Sequence, residues 1–103
     1  MNDTETDLDV LLHIASPDAA RIAAPPGRAF VAMGVRWGCF LTNDGVRTLD
    51  DAAFAAVAPK AARLVVCEHS RDRHLSSPEC IAECGSQTVN SALMAAARRV
   101  VSL

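Results

Sequence analysis

Short runs of consecutive apolar residues recur along the chain and alternate with segments of helical spacing. An apolar run of four to eight residues, bounded by turn residues, is typical of a strand buried on both faces. Runs of this kind predict four strands, at residues 9–15, 35–42, 63–68 and 98–103. Helical spacing is clearest at residues 87–97, whose apolar face consists of Val89, Ala92, Leu93 and Ala96.

The segments between the first three strands predict two less regular helices. Residues 18–33 contain helix-forming residues but are interrupted by Pro25-Pro26-Gly27, so we expect a kinked or split first helix. A second helix is predicted after Asp50-Asp51, whose carboxylates suit a helix N-terminus. Residues 70–85 are predicted to form a loop with at most one helical turn, near residues 78–82.

Strands that alternate with helices predict an α/β fold with right-handed crossovers. We expect a disordered tail at residues 1–8 and a single domain at 9–103, with a mainly parallel sheet of about four to five strands and helices on both faces. Sites in such sheets gather at the carboxyl ends of the strands. The second and third strands end at Asn43-Asp44-Gly45 and at Cys67, so both are expected at one rim.

Composition limits the function classes. With 103 residues, 50% hydrophobic and 21% charged, the chain suits one globular domain. Its net charge of -2 does not favour nucleic acid or an anionic membrane as a partner. The first nine residues carry four acidic side chains and no basic one, unlike a signal peptide. We therefore expect a cytosolic protein whose cysteines are reduced.

Cys67 is the leading candidate for a reactive residue. It stands where the apolar run Leu64-Val65-Val66 becomes a polar segment. A thiol becomes nucleophilic when its surroundings favour the thiolate. Such a thiolate at a strand end can attack sulfane sulfur and hold it as a persulfide, whereas a buried cysteine would only fill the core.

Four basic or imidazole side chains follow Cys67 within seven residues: His69, Arg71, Arg73 and His74. They predict stabilisation of the thiolate, proton transfer by a histidine near neutral pH, or docking of an acidic partner. In an extended backbone, His69 would lie on the same side as Cys67. Asp44 is a further candidate to line the rim. A solvated loop in which the arginines pair with acidic neighbours remains the alternative.

Cys80 and Cys84 add two more thiols after this cluster. With Cys67, His69 and His74 they form C-x-H-x4-H-x5-C-x3-C, whose ligands suit zinc, although paired C-x2-C knuckles are absent. Cys80 or Cys84 could also resolve an oxidised Cys67 as a disulfide. The third interpretation is that Cys80 and Cys84 are simply two unpaired thiols. No cofactor is expected.

Three further residues are predicted to be structural. Cys39 and Trp37 lie within the second apolar run and are expected to pack in the core. His13, in the first run, is expected to be a core or strand-end histidine. Gly85-Ser86 precedes the last helix and could offer backbone N–H groups to an anion, but ordinary capping is the simpler interpretation.

Several of these segments, in this order, resemble the DsrE/TusD-like family of sulfur-relay proteins. The resembling segments are Leu11-Leu12-His13-Ile14-Ala15, Phe40-Leu41-Thr42-Asn43-Asp44-Gly45-Val46, Leu64-Val65-Val66-Cys67, Gly85-Ser86 and Arg98-Arg99-Val100-Val101-Ser102-Leu103. The Pro25-Pro26 break and the charged segment after Cys67 depart from the family's pattern.

The resemblance implies a compact α/β fold and a cysteine, here Cys67, that carries sulfur as a persulfide. It also implies partners: a TusA-like carrier or other DsrE-like subunits, in a homo- or hetero-oligomer. Our first hypothesis is thus a cytosolic sulfur carrier of the sulfurtransferase type. The alternatives are a small metal-binding protein and a non-catalytic subunit of a DsrE-like assembly.

Overall fold

The computed structural model describes residues 8–74 and 82–103, and these residues form one sheet with helices packed against it. The strands are β1 (Leu8–Ile14), β2 (Trp37–Leu41), β3 (Arg63–Cys67), β4 (Glu83–Gly85) and β5 (Ala97–Ser102). The α-helices are α1 (Ala20–Met33), α2 (Ala52–Val57), α3 (Glu68–His74) and α4 (Gln87–Ala96). A 3-10 segment, Asn43–Asp50, follows β2.

All neighbouring strands are parallel, in the order β4-β3-β2-β1-β5. The predicted α/β domain with a parallel sheet is therefore confirmed. Four strands and the last helix begin and end close to the residues that the apolar runs predicted. Leu8 does not belong to the expected disordered tail: it is the first residue of β1 and is 1% exposed. The rest of that tail, residues 1–7, lies outside the described residues.

The sequence-based interpretation of residues 70–85 as a loop is wrong at both ends. Helix α3 begins directly after Cys67, and β4 adds a fifth strand next to β3. Neither element has the apolar pattern that predicts structure: α3 is polar along its length, and two of the three residues of β4 are exposed. The predicted helical turn near residues 78–82 lies outside the described residues, apart from Ala82, which forms a bend.

Helix α1 continues through Pro25 and Pro26, so the expected split is not observed. A proline lacks an N–H, which leaves the carbonyl four residues earlier without its helical donor. Here those carbonyls belong to Arg21 and Ile22, which are both exposed and can be solvated. Gly27 follows on the buried side, where a Cβ would lie 3.0 Å from Trp37 Cη2.

Two apolar layers lie on opposite faces of the sheet, because successive side chains of a strand alternate. Trp37 and Cys39 of β2 pack with α1 and α2 on one face. Phe40 of β2 and Cys67 of β3 pack with Leu93 of α4 on the other. The two faces thus carry different helices, as the sequence predicted, and Cys67 belongs to the face covered by α4.

The turn after β2 packs tightly against the end of β1. A Cβ on Gly45 would lie only 2.1 Å from the carbonyl oxygen of Ile14, so this position requires glycine. The same carbonyl accepts a hydrogen bond from the Thr42 N–H over 2.9 Å. These contacts fix the carboxyl rim of the sheet beside Cys67. None of the helices in the described ranges is both long and apolar enough to cross a bilayer.

Candidate functional site at the carboxyl rim

Cys67 is the last residue of β3 and immediately precedes α3. Its register partner on β4 is Gly85, and the side chain belongs to the apolar layer beneath α4. The residue is 5% exposed, so the sulfur lies at the border of the core and not in open solvent. The thiol therefore lies between the apolar layer beneath α4 and the polar first turn of α3.

Four donor groups from two neighbouring segments lower the pKa of this sulfur. They are the backbone N–H groups of His69 and Ser70, in the first turn of α3, and the hydroxyl groups of Ser70 and Thr42. Thr42 follows β2, the strand next to β3, so the rim of the sheet supplies one donor and the helix supplies the others.

The pKa of the Cys67 thiol reflects a competition between burial and these donors. Burial is the largest single influence and raises the pKa, because it disfavours a charged sulfur. The hydrogen bonds from Ser70, His69 and Thr42 act in the opposite direction, since each stabilises the thiolate. Together they prevail, and the pKa is lowered from its ordinary value of 9.0.

Gln87, the first residue of α4, provides a further polar contact. Its Nε2 lies 3.8 Å from the Cys67 sulfur, in hydrogen-bonding range for this larger atom. Asn90 Nδ2 donates to Gln87 Oε1 over 3.3 Å. That bond holds the amide oxygen of Gln87 towards Asn90, and its NH2 group is left to face the sulfur.

The structure describes the side chains of three of the basic residues that follow Cys67: His69, Arg71 and Arg73. The segment after Cys67 is helical, so His69 is not on the same side by extended alternation, and its imidazole is exposed. His69 reaches the sulfur through its backbone N–H. Arg73 is exposed, and Arg71 forms an ion pair of 3.7 Å with Asp72. Among the side chains that the structure describes, the groups that lower the pKa of the thiol are thus amides and hydroxyls, not imidazolium or guanidinium.

Two of the remaining predicted site residues, Asp44 and Cys84, are described by the structure. Asp44 is exposed in the 3-10 segment after β2. Cys84 is exposed on β4, in register with Val66, and in-register residues of a parallel pair point to the same face. Its side chain therefore lies on the opposite face from Cys67. Cys80 and the side chain of His74 lie outside the described residues.

The metal-binding alternative has no support among the described residues. Within residues 8–74 and 82–103, no three His, Cys, Asp or Glu side chains come together as a metal site would need. The opposite facing of Cys67 and Cys84 is one reason, because it separates two of the five proposed ligands.

The residues predicted to be structural are placed as expected. Cys39 is fully buried, and burial raises the pKa of its thiol to about 12. Trp37 is buried and packs against Phe30, with ring centroids 5.6 Å apart. His13 is half-buried near the end of β1 and stacks on Phe40 at 6.1 Å. Ser86 occupies the N-cap position of α4, but its side chain makes no capping hydrogen bond.

Sequence reasoning missed Thr42, Ser70 and Gln87. One signal was available for Ser70: a strand-ending cysteine followed three residues later by serine matches the spacing of a helix cap. Thr42 and Gln87 reach Cys67 only through the sheet order and the path of α4, so no local pattern indicates them.

Comparison of the sequence with protein-family models and with curated proteins finds no match to either. The likeness to the DsrE/TusD-like family therefore depends on the quoted segments alone.

Proposed function

We propose that this protein is a cytosolic sulfur carrier, which accepts sulfane sulfur as a persulfide on Cys67 and passes it to a protein partner. One observation carries the proposal: Cys67 ends an interior strand of the sheet, and several donor groups around it lower the pKa of its thiol. A lowered pKa increases the thiolate fraction at neutral pH, and the thiolate is the nucleophile.

The chemistry needs no cofactor. The Cys67 thiolate attacks the outer sulfur of a donor persulfide, R–S–SH. A new S–S bond forms on Cys67, the donor's S–S bond breaks, and the donor leaves as a thiolate, R–S⁻. The terminal proton stays with the transferred sulfur. A thiolate on the receiving partner then attacks that outer sulfur and releases Cys67 as a thiolate.

The surroundings of Cys67 suit both forms of the sulfur. Amide N–H and hydroxyl donors stabilise a thiolate by hydrogen bonding, without adding a fixed positive charge beside the sulfur. On the side of the sulfur away from these donors, the buried side chains of Phe40, Val65 and Leu93 limit the access of water. Shielding of this kind slows hydrolysis and oxidation of a reactive sulfur species.

Persulfide loading tests the proposal directly. The purified protein is incubated with a low-molecular-weight persulfide donor and weighed intact under non-reducing conditions. Wild type should gain one sulfur atom, and Cys67→Ser should gain none. Cys84→Ser is the matched control, since it removes an exposed thiol from the other face and should load like wild type.

Two results would contradict the proposal. If Cys67→Ser loads as wild type does, another thiol is the acceptor. If wild type does not load and Cys67 resists alkylation at neutral pH in the folded state, the non-catalytic alternative is favoured. Elemental analysis of freshly purified protein separates the metal-binding alternative, which requires a stoichiometric metal.

A further inference from the structure

Strand β5 forms one edge of the described sheet, and solvent reaches both of its faces. It pairs with β1 on one side, and no described strand pairs with it on the other. Five of its six residues are exposed, including Val100 at 38% and Val101 at 41%. Edge strands of this kind are templates for pairing with another chain unless charge, proline or a bulge prevents it.

The hydrogen-bond pattern shows which groups of β5 face the free edge. Leu103, which continues the strand, donates its N–H to the His13 carbonyl over 2.8 Å and accepts from the Ala15 N–H over 2.9 Å. Successive residues of a strand direct these groups to opposite sides. Arg99 and Val101 therefore bond to β1, as Leu103 does. The residues that direct N–H and C=O outward are Arg98, Val100 and Ser102.

We propose that two copies of this chain associate by antiparallel pairing of β5 with β5, about a two-fold axis at Val100. A two-fold axis perpendicular to a sheet makes its edge strands antiparallel and makes the contact self-complementary. Val100 is the central one of the three residues that direct N–H and C=O groups outward, so this register pairs all three of them. Val100 pairs with Val100 of the second copy, and Arg98 pairs with Ser102, each pair exchanging two hydrogen bonds.

The charges on β5 favour this register over its neighbours. Arginines on an edge strand ordinarily oppose pairing. With the axis at Val100, Arg99 lies opposite Val101 of the second copy and only diagonally across from that copy's Arg99, so no arginine lies directly opposite an arginine. An axis at Arg98 or Arg99 would instead set one guanidinium directly against another, which is unfavourable. The contact also covers the exposed valines, which point to opposite faces of the sheet.

Proline at position 100 provides a sharp test, because the Val100 N–H faces the free edge and not β1. Val100→Pro should leave the β1–β5 pairing intact while removing a donor from each side of the two-fold axis. Sedimentation equilibrium should show a wild-type dimer and, for Val100→Pro, a dissociation constant about tenfold weaker or more. Val100→Thr is the matched control: it keeps the N–H and the β-branched shape, and should dimerise like wild type.

A second pair of variants tests the register without proline. Glu at position 101 would lie opposite Arg99 of the second copy, and Lys at the same position would repel it. Val101→Glu should dimerise about tenfold more tightly than Val101→Lys at low salt, and the difference should shrink as salt is added.

Three results would overturn the proposal: a wild-type protein that is monomeric at about 0.1 mM, equal association of Val100→Pro and wild type, or equal association of the two position-101 variants. The inference does not depend on the chemistry of Cys67. Cys67→Ser should dimerise normally, so failure of sulfur loading and failure of dimerisation are separate outcomes.

Discussion

The backbone N–H of Asn43 donates a hydrogen bond to the hydroxyl oxygen of Ser70 over 2.8 Å. Asn43 has a φ of 51°, in the left-handed region, and this conformation belongs to the turn that follows β2. Since the hydroxyl oxygen accepts from Asn43, its own hydrogen is free to point at the Cys67 sulfur. The turn after one strand thereby orients a donor for the cysteine at the end of the next.

Replacing Ser70 should make Cys67 less reactive. Ser70→Ala removes a hydroxyl donor to the thiolate, so the pKa of Cys67 should rise. Alkylation by iodoacetamide, followed against pH, should show its midpoint at higher pH and a slower rate at neutral pH. Ser70→Thr retains the hydroxyl and serves as the control. An unchanged midpoint in Ser70→Ala would show that the hydroxyl does not stabilise the thiolate.

The same variant should lose stability. Ser70→Ala leaves the Asn43 N–H without its acceptor in a partly buried position, which costs about 1–3 kcal/mol. Urea denaturation monitored by tryptophan fluorescence measures this loss, because Trp37 is buried in the folded state. Thr at position 70 should lose less.

Gln87 offers an electrostatic test of the site. Gln87→Glu places a carboxylate where the amide now lies 3.8 Å from the sulfur, and two like charges at this distance repel. The pKa of Cys67 should rise further than in Gln87→Leu, which only removes a weak donor. The pH dependence of alkylation distinguishes them. Equal midpoints for the two variants would place Gln87 outside the electrostatic surroundings of the thiol.

Cys39 should make the fold sensitive to alkaline pH. Burial raises the pKa of its thiol to about 12, whereas the unfolded chain would ionise it near 9.0. Within this window the unfolded state binds fewer protons than the folded state, so stability falls as pH rises. Cys39→Ala should lower stability at neutral pH by leaving a small cavity, yet show a shallower loss between pH 9.0 and about 12.

The thiol of Cys67 should change the pH dependence of folding stability in the opposite direction. Its pKa is lowered on folding, so the stabilisation of its thiolate is present above the ordinary pKa of 9.0 and is lost as pH falls through the lowered value. Comparison of the folding stability of wild type and Cys67→Ser over the same pH series measures this stabilisation by the Cys67 thiolate. Parallel curves for wild type, Cys39→Ala and Cys67→Ser would contradict both assignments.

Gly45 should be among the least replaceable positions in the chain. A Cβ there would lie 2.1 Å from the Ile14 carbonyl oxygen, so Gly45→Ala forces the turn away from β1 and should cost about 4 kcal/mol or more. Gly34 is the matched control. It has a φ of 70° but open space around it, so Gly34→Ala should cost only about 1–2 kcal/mol. Equal thermal midpoints for the two variants would contradict this contrast.

Local pattern was sufficient wherever an element buries a continuous apolar face. The apolar runs located β1, β2, β3 and β5, and helical spacing located α4, because burial of these residues is the main force that forms them. The place of Cys67 at a strand end, followed by a segment rich in His and Arg, indicates it as a candidate reactive residue. By contrast, α3 and β4 have no such face and form through contacts with their neighbours, so their sequences gave no comparable signal.

The order of apolar runs and helical segments along the chain is enough to predict alternating buried strands and helices, and with them a parallel sheet whose third strand ends in a cysteine. The chemistry around that cysteine depends on the three-dimensional fold. Thr42, Ser70 and Gln87 are spread over 46 positions of the chain. They meet at one sulfur because parallel strands bring their carboxyl ends to one rim and α4 starts there. Hydrogen bonds act over a few ångströms in space, whatever the separation along the chain, so no local pattern could have revealed them.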